Sequence, residues 1–323
     1  MASSTTGTIS AEVRRRLEQP SAIRFIRLGE SGSWANEAFA AGTIPFKYRN
    51  VDHAPCSDGD WDAVRKQIAA SGRKPGAIGG DIRELRDFYE ADDHCLWITF
   101  ADGHLWWTFS EGPVVASAER GDDRPARLRR APFGWHRHNI EGEPLLVQSL
   151  SSALTKVAGY RRTLCAVERS DYLLRKIQGE VEPLVVVAKQ LQTDLEQHAT
   201  QMIAQLDWRD FEIMVDLIFA RAGWQRESAL GKGEVDLDLF LTNPTTSDSA
   251  WVQIKSSANQ RVLDDYAARF RQSGADRFFF VCHSPKGDLS LPEDPATHIW
   301  TGPSLARRAI AAGILDWLID RVA

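Results

Sequence analysis

The sequence predicts an α/β protein of two modules joined by a helical connector. Three observations carry this. At 323 residues the chain is long enough for two domains with sizeable cores. Apolar periodicity alternates between the strand and the helix repeat in both the first half and the last third. Between them, Glu182–Gln205 reads as one long amphipathic helix, with Leu184, Val187, Leu191, Leu195, His198 and Ile203 at helical spacing. The boundaries fall at residues 21–179 for the first module, 180–205 for the connector and 206–323 for the second module.

MASSTTGTIS at the start reads as a frayed tail, lacking the basic segment and apolar core of a secretory signal. Ile23–Leu28 reads as a strand, Trp34–Ala40 as a short helix and Thr43–Lys47 as a strand. Asp60–Ala70 and Asp81–Glu90 read as helices. Cys95–Phe100 and His104–Phe109 flank Asp102-Gly103, a strong hairpin signal because both turn residues tolerate positive φ. Arg127–Arg130 reads as a further strand. These strands suit a mixed α/β module able to curl into a small barrel. Leu145–Ile177 reads as helical.

This module is rich in aromatic residues. Trp106 and Trp107 are adjacent on one strand and must point to opposite faces, so one can enter the core while the other meets solvent or a ligand. With Trp34 they are candidates for a slot that stacks a planar base. Arg127, Arg129 and Arg130, in the arginine-rich run Glu119–His138, are candidates for phosphate contacts. His136-Arg137-His138-Asn139 has no ββα metal context and is read as non-catalytic.

In the last third, Trp208–Ala222 reads as a helix with Phe211, Met214, Val215, Leu217, Ile218 and Phe219 mostly on one face, ending at Gly223. After a glycine-containing loop, Glu234–Leu241 and Ala250–Ser256 read as two strands joined by a turn-rich segment. Period-two alternation places Asp236 and Asp238 on the polar side of the first, roughly 7 Å apart. The same alternation places Gln253 and Lys255 on the polar side of the second. Glu212 lies on the preceding helix. Carboxylates, an amide oxygen and an ammonium at one place suit Mg²⁺, which takes oxygen ligands and keeps waters for substrate. Leu263–Gln272, Arg277–Cys282, Ile299-Trp300, Ser304–Ala311 and Leu315–Val322 complete the module as helix, buried strand, last strand and two helices.

Phe211-Glu212, Asp236 or Asp238, and Gln253-Ile254-Lys255 occur here in the order found in the PD-(D/E)xK nucleases. The chain resembles their Mrr-type restriction endonuclease branch, in which glutamine stands at the second acidic position. FFFVCHSP (Phe278–Pro285), IWTGPSLA (Ile299–Ala306) and AGILDWL (Ala312–Leu318) extend the resemblance over about the last third. It implies a restriction-endonuclease-like sandwich with a mixed sheet. It also implies a metal-dependent endodeoxyribonuclease of modification-dependent restriction or phage defence; the alternatives are a non-cutting nucleic-acid-binding protein that keeps the nuclease fold, or an effector whose N-terminal pocket binds a small molecule and gates the nuclease. Asp236, favoured because it lies nearest the glycine loop where the strand begins, or else Asp238 would then hold Mg²⁺ (or Mn²⁺), Gln253 add an oxygen, Lys255 orient water and Glu212 act as an outer or second-metal ligand. The layout of the first module, including GDIRELRDFYEADDHCLWITF, resembles a PUA-superfamily module of the EVE type, which implies a base-sensing role. The implied partner is double-stranded DNA, possibly modified. Two cuts need two active sites, so a homodimer is expected.

Composition sets the outer bounds. Hydrophobic residues make up 43% and charged residues 26%, which is globular. No apolar run reaches a membrane span. Cys56, Cys95, Cys165 and Cys282 are scattered without CxxC spacing, which suits reduced thiols in a cytoplasmic protein rather than disulfides or zinc. The net charge of −5 does not favour nucleic acid, so any such contact must come from a local field.

Overall fold

The computed structural model describes residues 9–118, 121, 123–227 and 238–323. The chain divides into two compact units between Glu182 and Pro183.

The first unit opens with α1 (Ala11–Glu18), just after the stretch expected to fray; Ser10, the last residue of that stretch, caps it by accepting the Val13 N–H. Then follow β1 (Ala22–Ile26), α2 (Ala35–Ala41), β2 (Thr43–Phe46), α3 (His53–Ser57), α4 (Trp61–Ala70) and α5 (Pro75–Tyr89). Next come β3 (Cys95–Ala101), β4 (His104–Phe109), β5 (Glu111–Ala116), β6 (Arg127–Arg130), α6 (Ser152–Thr155), β7 (Leu164–Ala166) and α7 (Ser170–Gln178). Asp102 and Gly103, with φ of 49° and 73°, turn β3 into β4 as their sequence requires.

These strands form two sheets, ordered β4-β3-β1-β7 and β2-β6-β5, and no closed barrel forms among the described residues. The expected curl stops because β4 passes directly into β5 of the other sheet, while residues around His136 lie against β4 through the Trp107–His136 bridge. β3 alternates across its sheet. Cys95 and Trp97 enter a core shared with α5, while Leu96 and Ile98 enter a second core shared with α1 and α7. The helix expected over Leu145–Ile177 is broken into α6, β7 and α7. Pairing of β7 with β1, and the Arg27 N–H donated to Thr163 at 2.8 Å, override the local helical pattern.

The second unit runs α8 (Pro183–Ile203), α9 (Trp208–Arg221), β8 (Gln225–Arg226), β9 (Leu239–Thr242), β10 (Ser249–Lys255), α10 (Gln260–Ser273), β11 (Arg277–Cys282), β12 (Thr297–Thr301), α11 (Gly302–Ala311) and α12 (Leu315–Val322). Its mixed sheet has the order β12-β11-β10-β9-β8, with β10, β11 and β12 parallel and β9 antiparallel to β10. Helices cover both faces, as a parallel core requires. Ala250, Val252, Ile254, Phe279 and Val281 face a core with α8, α9, α11 and α12. Trp251, Phe278 and Phe280 face α10. Ala199 and Ile203 anchor the end of α8 in this unit, whereas Leu184, Val187 and Leu191 near its start are exposed.

Candidate active site in the second unit

The parallel strands β10 and β11 end side by side, with Lys255 paired to Cys282. Ligands in open α/β sheets collect at the carboxyl ends of such strands. β9 delivers its side chains to the same place. Leu239 sits opposite Val252, so Asp238, one residue earlier, lies across from Gln253. The site residues therefore converge through strand pairing over a short stretch of backbone.

Asp238 is the hub. Its Oδ2 accepts hydrogen bonds from Gln253 Nε2 and, at 2.7 Å, from the Ile254 backbone N–H. Lys255 Nζ lies 3.6 Å from the same oxygen, and it also sits 5.3 Å from the centre of the Tyr266 ring on α10. The Asp238 and Lys255 side chains are 20% and 32% exposed, so solvent and a ligand can reach both. Gln253 is fully buried, and its Oε1 has no hydrogen-bond partner. The sequence placed Gln253 on a solvent-facing side. Instead α10 covers that side with apolar residues, and only the strand end stays open.

Glu212, near the start of α9, belongs to this field. Burial raises its carboxyl above the ordinary value, and the Asp238 charge raises it further, against the opposing pull of Lys255. The structure thus brings Asp238, Gln253 and Lys255 together, with Glu212 within electrostatic reach. Asp236 lies outside the described residues.

Among the described residues, no group of three or more His, Cys, Asp or Glu side chains is placed to hold a metal ion. The oxygen donors at the strand ends are Asp238 and the amide oxygen of Gln253, whose Nε2 is the atom turned toward Asp238. A buried acceptor without a donor costs free energy unless a cation or a hydrogen-bond donor meets it, and Gln253 Oε1 is such an acceptor.

His283 is the histidine of the FFFVCHSP stretch. It follows Cys282 at the end of β11, and its ring meets Phe211 edge-on at 4.6 Å. Burial lowers its pKa, and its buried Nε2 has no partner. A histidine just past a buried parallel strand was the available signal.

The residues proposed for nucleic acid in the first unit fare differently. Trp107 is fully buried and donates its indole N–H to the His138 carbonyl at 2.9 Å. Trp34 is 8% exposed and donates to the Asp123 carbonyl at 2.7 Å. Trp106 is partly buried, with Phe39 stacked on it at 3.9 Å. Phe39 covers one ring face of Trp106, which stays partly exposed, while Trp34 and Trp107 are packing residues. The opposite-face prediction for Trp106 and Trp107 holds: Trp107 is wholly buried in one core, and Trp106 packs partly buried against the other.

Arg127 and Arg129 are each 2% exposed and turn inward. Arg127 donates to the Tyr48 and Val51 carbonyls at 2.9 and 2.6 Å. Arg129 donates to Ser110 Oγ and to the carbonyls of Phe88, Ala91 and Gly112. Neither is placed to meet phosphate. Arg130 alternates outward and is exposed. All four cysteines are free; burial pushes the Cys95 thiol up to about 12.

No protein-family model matches this chain. It is 24% identical over 164 residues to the human phosphatidate phosphatase LPIN2. That stretch is 50% of this chain and only 17% of the length of that enzyme. Among the described residues, no helix is long and apolar enough to cross a membrane.

Proposed function

We propose that the second unit is a metal-dependent phosphodiester hydrolase acting on double-stranded DNA, with the restriction-endonuclease-like fold of the Mrr type. The observation that carries this is the convergence of Asp238, Gln253 and Lys255 at the open ends of β9 and β10, with Gln253 Oε1 buried and unpartnered. Asp238 and Gln253 would hold Mg²⁺ or Mn²⁺. When bound, the ion supplies charge neutralisation and a more acidic water. Lys255 orients that water and offsets negative charge growing on the phosphate, and its ammonium is pre-aligned by Asp238 and Tyr266. Glu212, with its raised carboxyl, is suited to take up a proton near Asp238. A PUA-like fold for the first unit belongs to the same reading, without a tryptophan base slot. Modification-dependent restriction or phage defence, in the cytoplasm and as a homodimer, is its setting.

A second reading is a phosphomonoesterase, favoured by the similarity to a phosphatidate phosphatase. Both readings are phosphoester hydrolysis, and one experiment separates them. The purified chain is incubated with modified duplex DNA, unmodified duplex DNA and a chromogenic phosphomonoester, each with Mg²⁺ or EDTA. Mg²⁺-dependent strand cleavage lost in Lys255→Ala is expected. Release of inorganic phosphate from the monoester without cleavage of either duplex would replace the first reading with the second.

A further inference from the structure

A cavity of about 770 Å³ opens in the first unit between the loop after β2, the helix α5 and the segment before β7. That volume is in the range of small-molecule sites. Six cationic and three acidic side chains line it, in a chain whose net charge is −5. The local field is therefore opposite to the global one, and it favours an anion.

The floor is built to a defined geometry. Asp81, 1% exposed, takes Arg73 Nε at 2.6 Å, Arg162 Nη1 at 2.8 Å and the Tyr48 hydroxyl at 3.2 Å. Gly80 lets the Arg162 guanidinium lie flat on the α5 backbone, where any Cβ would collide with it. Tyr48 holds φ of +74°, a strained value for a residue with a side chain. The buried Arg127 fixes that backbone by binding the Tyr48 carbonyl. Such strain and bracing serve to aim one hydroxyl between two carboxyl groups.

Asp81 is saturated by this arrangement, and Glu84 is not. Glu84 is 3% exposed and lines the cavity. Its Oε2 accepts the Tyr48 hydroxyl at 2.9 Å, while its Oε1 is buried without a partner. Burial raises the carboxyl above its ordinary value despite the opposing pull of the Tyr48 hydroxyl, Arg162 and the Thr163 backbone N–H, so a further hydrogen-bond donor arriving at Oε1 would offset part of that burial cost. At the mouth, Lys47 and Arg161 are exposed and enter no ion pair among the described residues.

We propose that this cavity binds a small phosphorylated ligand whose other end carries N–H donors, with Lys47 and Arg161 taking the phosphate and Glu84 the donors. Guanidinium and ammonium groups recognise phosphate oxygens through charge-assisted hydrogen bonds. A carboxyl with a free oxygen recognises an amine or the N–H edge of a base. Tyr48 adds an aromatic ring to the lining. The site is independent of the nuclease reading, since every residue in it belongs to the first unit.

The test is calorimetric titration of the full chain with inorganic phosphate, phosphoethanolamine, the deoxynucleoside 5′-monophosphates and the unphosphorylated nucleosides. At least one phosphorylated N–H donor should bind tenfold or more tightly than inorganic phosphate and than its unphosphorylated counterpart. Phosphoethanolamine against the nucleotides separates an amine from a base, and displacement by duplex DNA would place the nucleotide within a strand. Glu84→Gln should lose the tenfold preference while leaving inorganic phosphate unchanged. Lys47→Ala and Arg161→Ala should weaken every phosphorylated probe without lowering the melting temperature. Equal affinity of all probes for the parent overturns the proposal. If Glu84→Gln fails to fold, unaltered binding in both mouth variants overturns it as well.

Discussion

Strands β6 and β10 each bring polar side chains into a protein core, and they treat them in opposite ways. On β6, Arg129 is buried and all of its acceptors are internal, three carbonyls and a hydroxyl. Its charge is spent on tying the end of α5 to β5. On β10, Gln253 is equally buried, yet Oε1 meets nothing, and the next outward-facing residue, Lys255, reaches an aspartate that is partly open. Native cores satisfy nearly all buried polar groups, so an unsatisfied acceptor marks a place where something else is required. The comparison teaches that arginine count is a poor guide to a nucleic-acid surface. Partner saturation is a better one.

The largest expected effect would break the β6 side of this contrast. Arg129→Ala leaves several buried acceptors without donors and opens a cavity, and should destabilise the protein by about 4 kcal/mol or more. Urea denaturation measures it. A variant as stable as the parent would mean that Arg129 is not a structural tie.

Lys255→Ala tests the β10 side and gives the next largest effect, now on rate. Removing one preorganised electrostatic group typically costs about 10²–10³ in turnover. The folding stability should stay within about 0.5 kcal/mol, because the ammonium is partly exposed. Single-turnover cleavage and thermal melting, measured on the same preparation, read the two quantities. Loss of both together would make Lys255 a structural residue like Arg129 and erase the contrast.

Why the sequence yielded one side and not the other follows from range. Gln253, Lys255 and an aspartate of the preceding strand were legible as a set because a hairpin converts period-two alternation directly into proximity, but alternation puts Asp236 and Asp238 on one face and could not choose between them. The buried, helix-covered face of β10 was not legible, since α10 closes over it from a later segment. In the first unit the β3–β4 hairpin was legible from Asp102-Gly103. Phe39 stacking on Trp106, Arg129 reaching the Phe88 carbonyl and the pairing of β7 with β1 are contacts between distant segments that no local pattern encodes. The Asp81–Glu84–Tyr48 floor was missed for the same reason. Its one local hint was two carboxylates three residues apart on an apolar helix face.

A smaller effect sharpens the site electrostatics. The folded-state pKa of Glu212 is raised, first by burial and then by Asp238. Below the ordinary value of 4.5 the residue is protonated folded or unfolded and contributes nothing. As pH rises through the window just above that value, the unfolded chain ionises more readily and stability is lost. Glu212→Gln should therefore be more stable than the parent above the window and equal to it below. Urea midpoints across pH 4 to 8 check this, at about the pH range where most carboxylates have already titrated. A parallel pH profile for variant and parent would remove Glu212 from the field of Asp238.

The smallest effect falls on Arg130, the outward neighbour of Arg129 on the same strand. Alternation leaves its guanidinium in solvent, so Arg130→Ala should change stability by no more than about 0.5 kcal/mol. Its one measurable role would be electrostatic. If it meets a phosphate, its loss lowers the slope of log affinity against log salt by about one unit and weakens all duplexes alike. Fluorescence anisotropy at several salt concentrations gives that slope directly. Arg129→Ala can weaken DNA binding only by unfolding the unit, which changes the amount of active protein and leaves the slope alone. A reduced slope in Arg130→Ala beside an unchanged slope in the folded fraction of Arg129→Ala would separate a phosphate contact from a structural tie one residue away. An unchanged slope in both would assign β6 wholly to the fold.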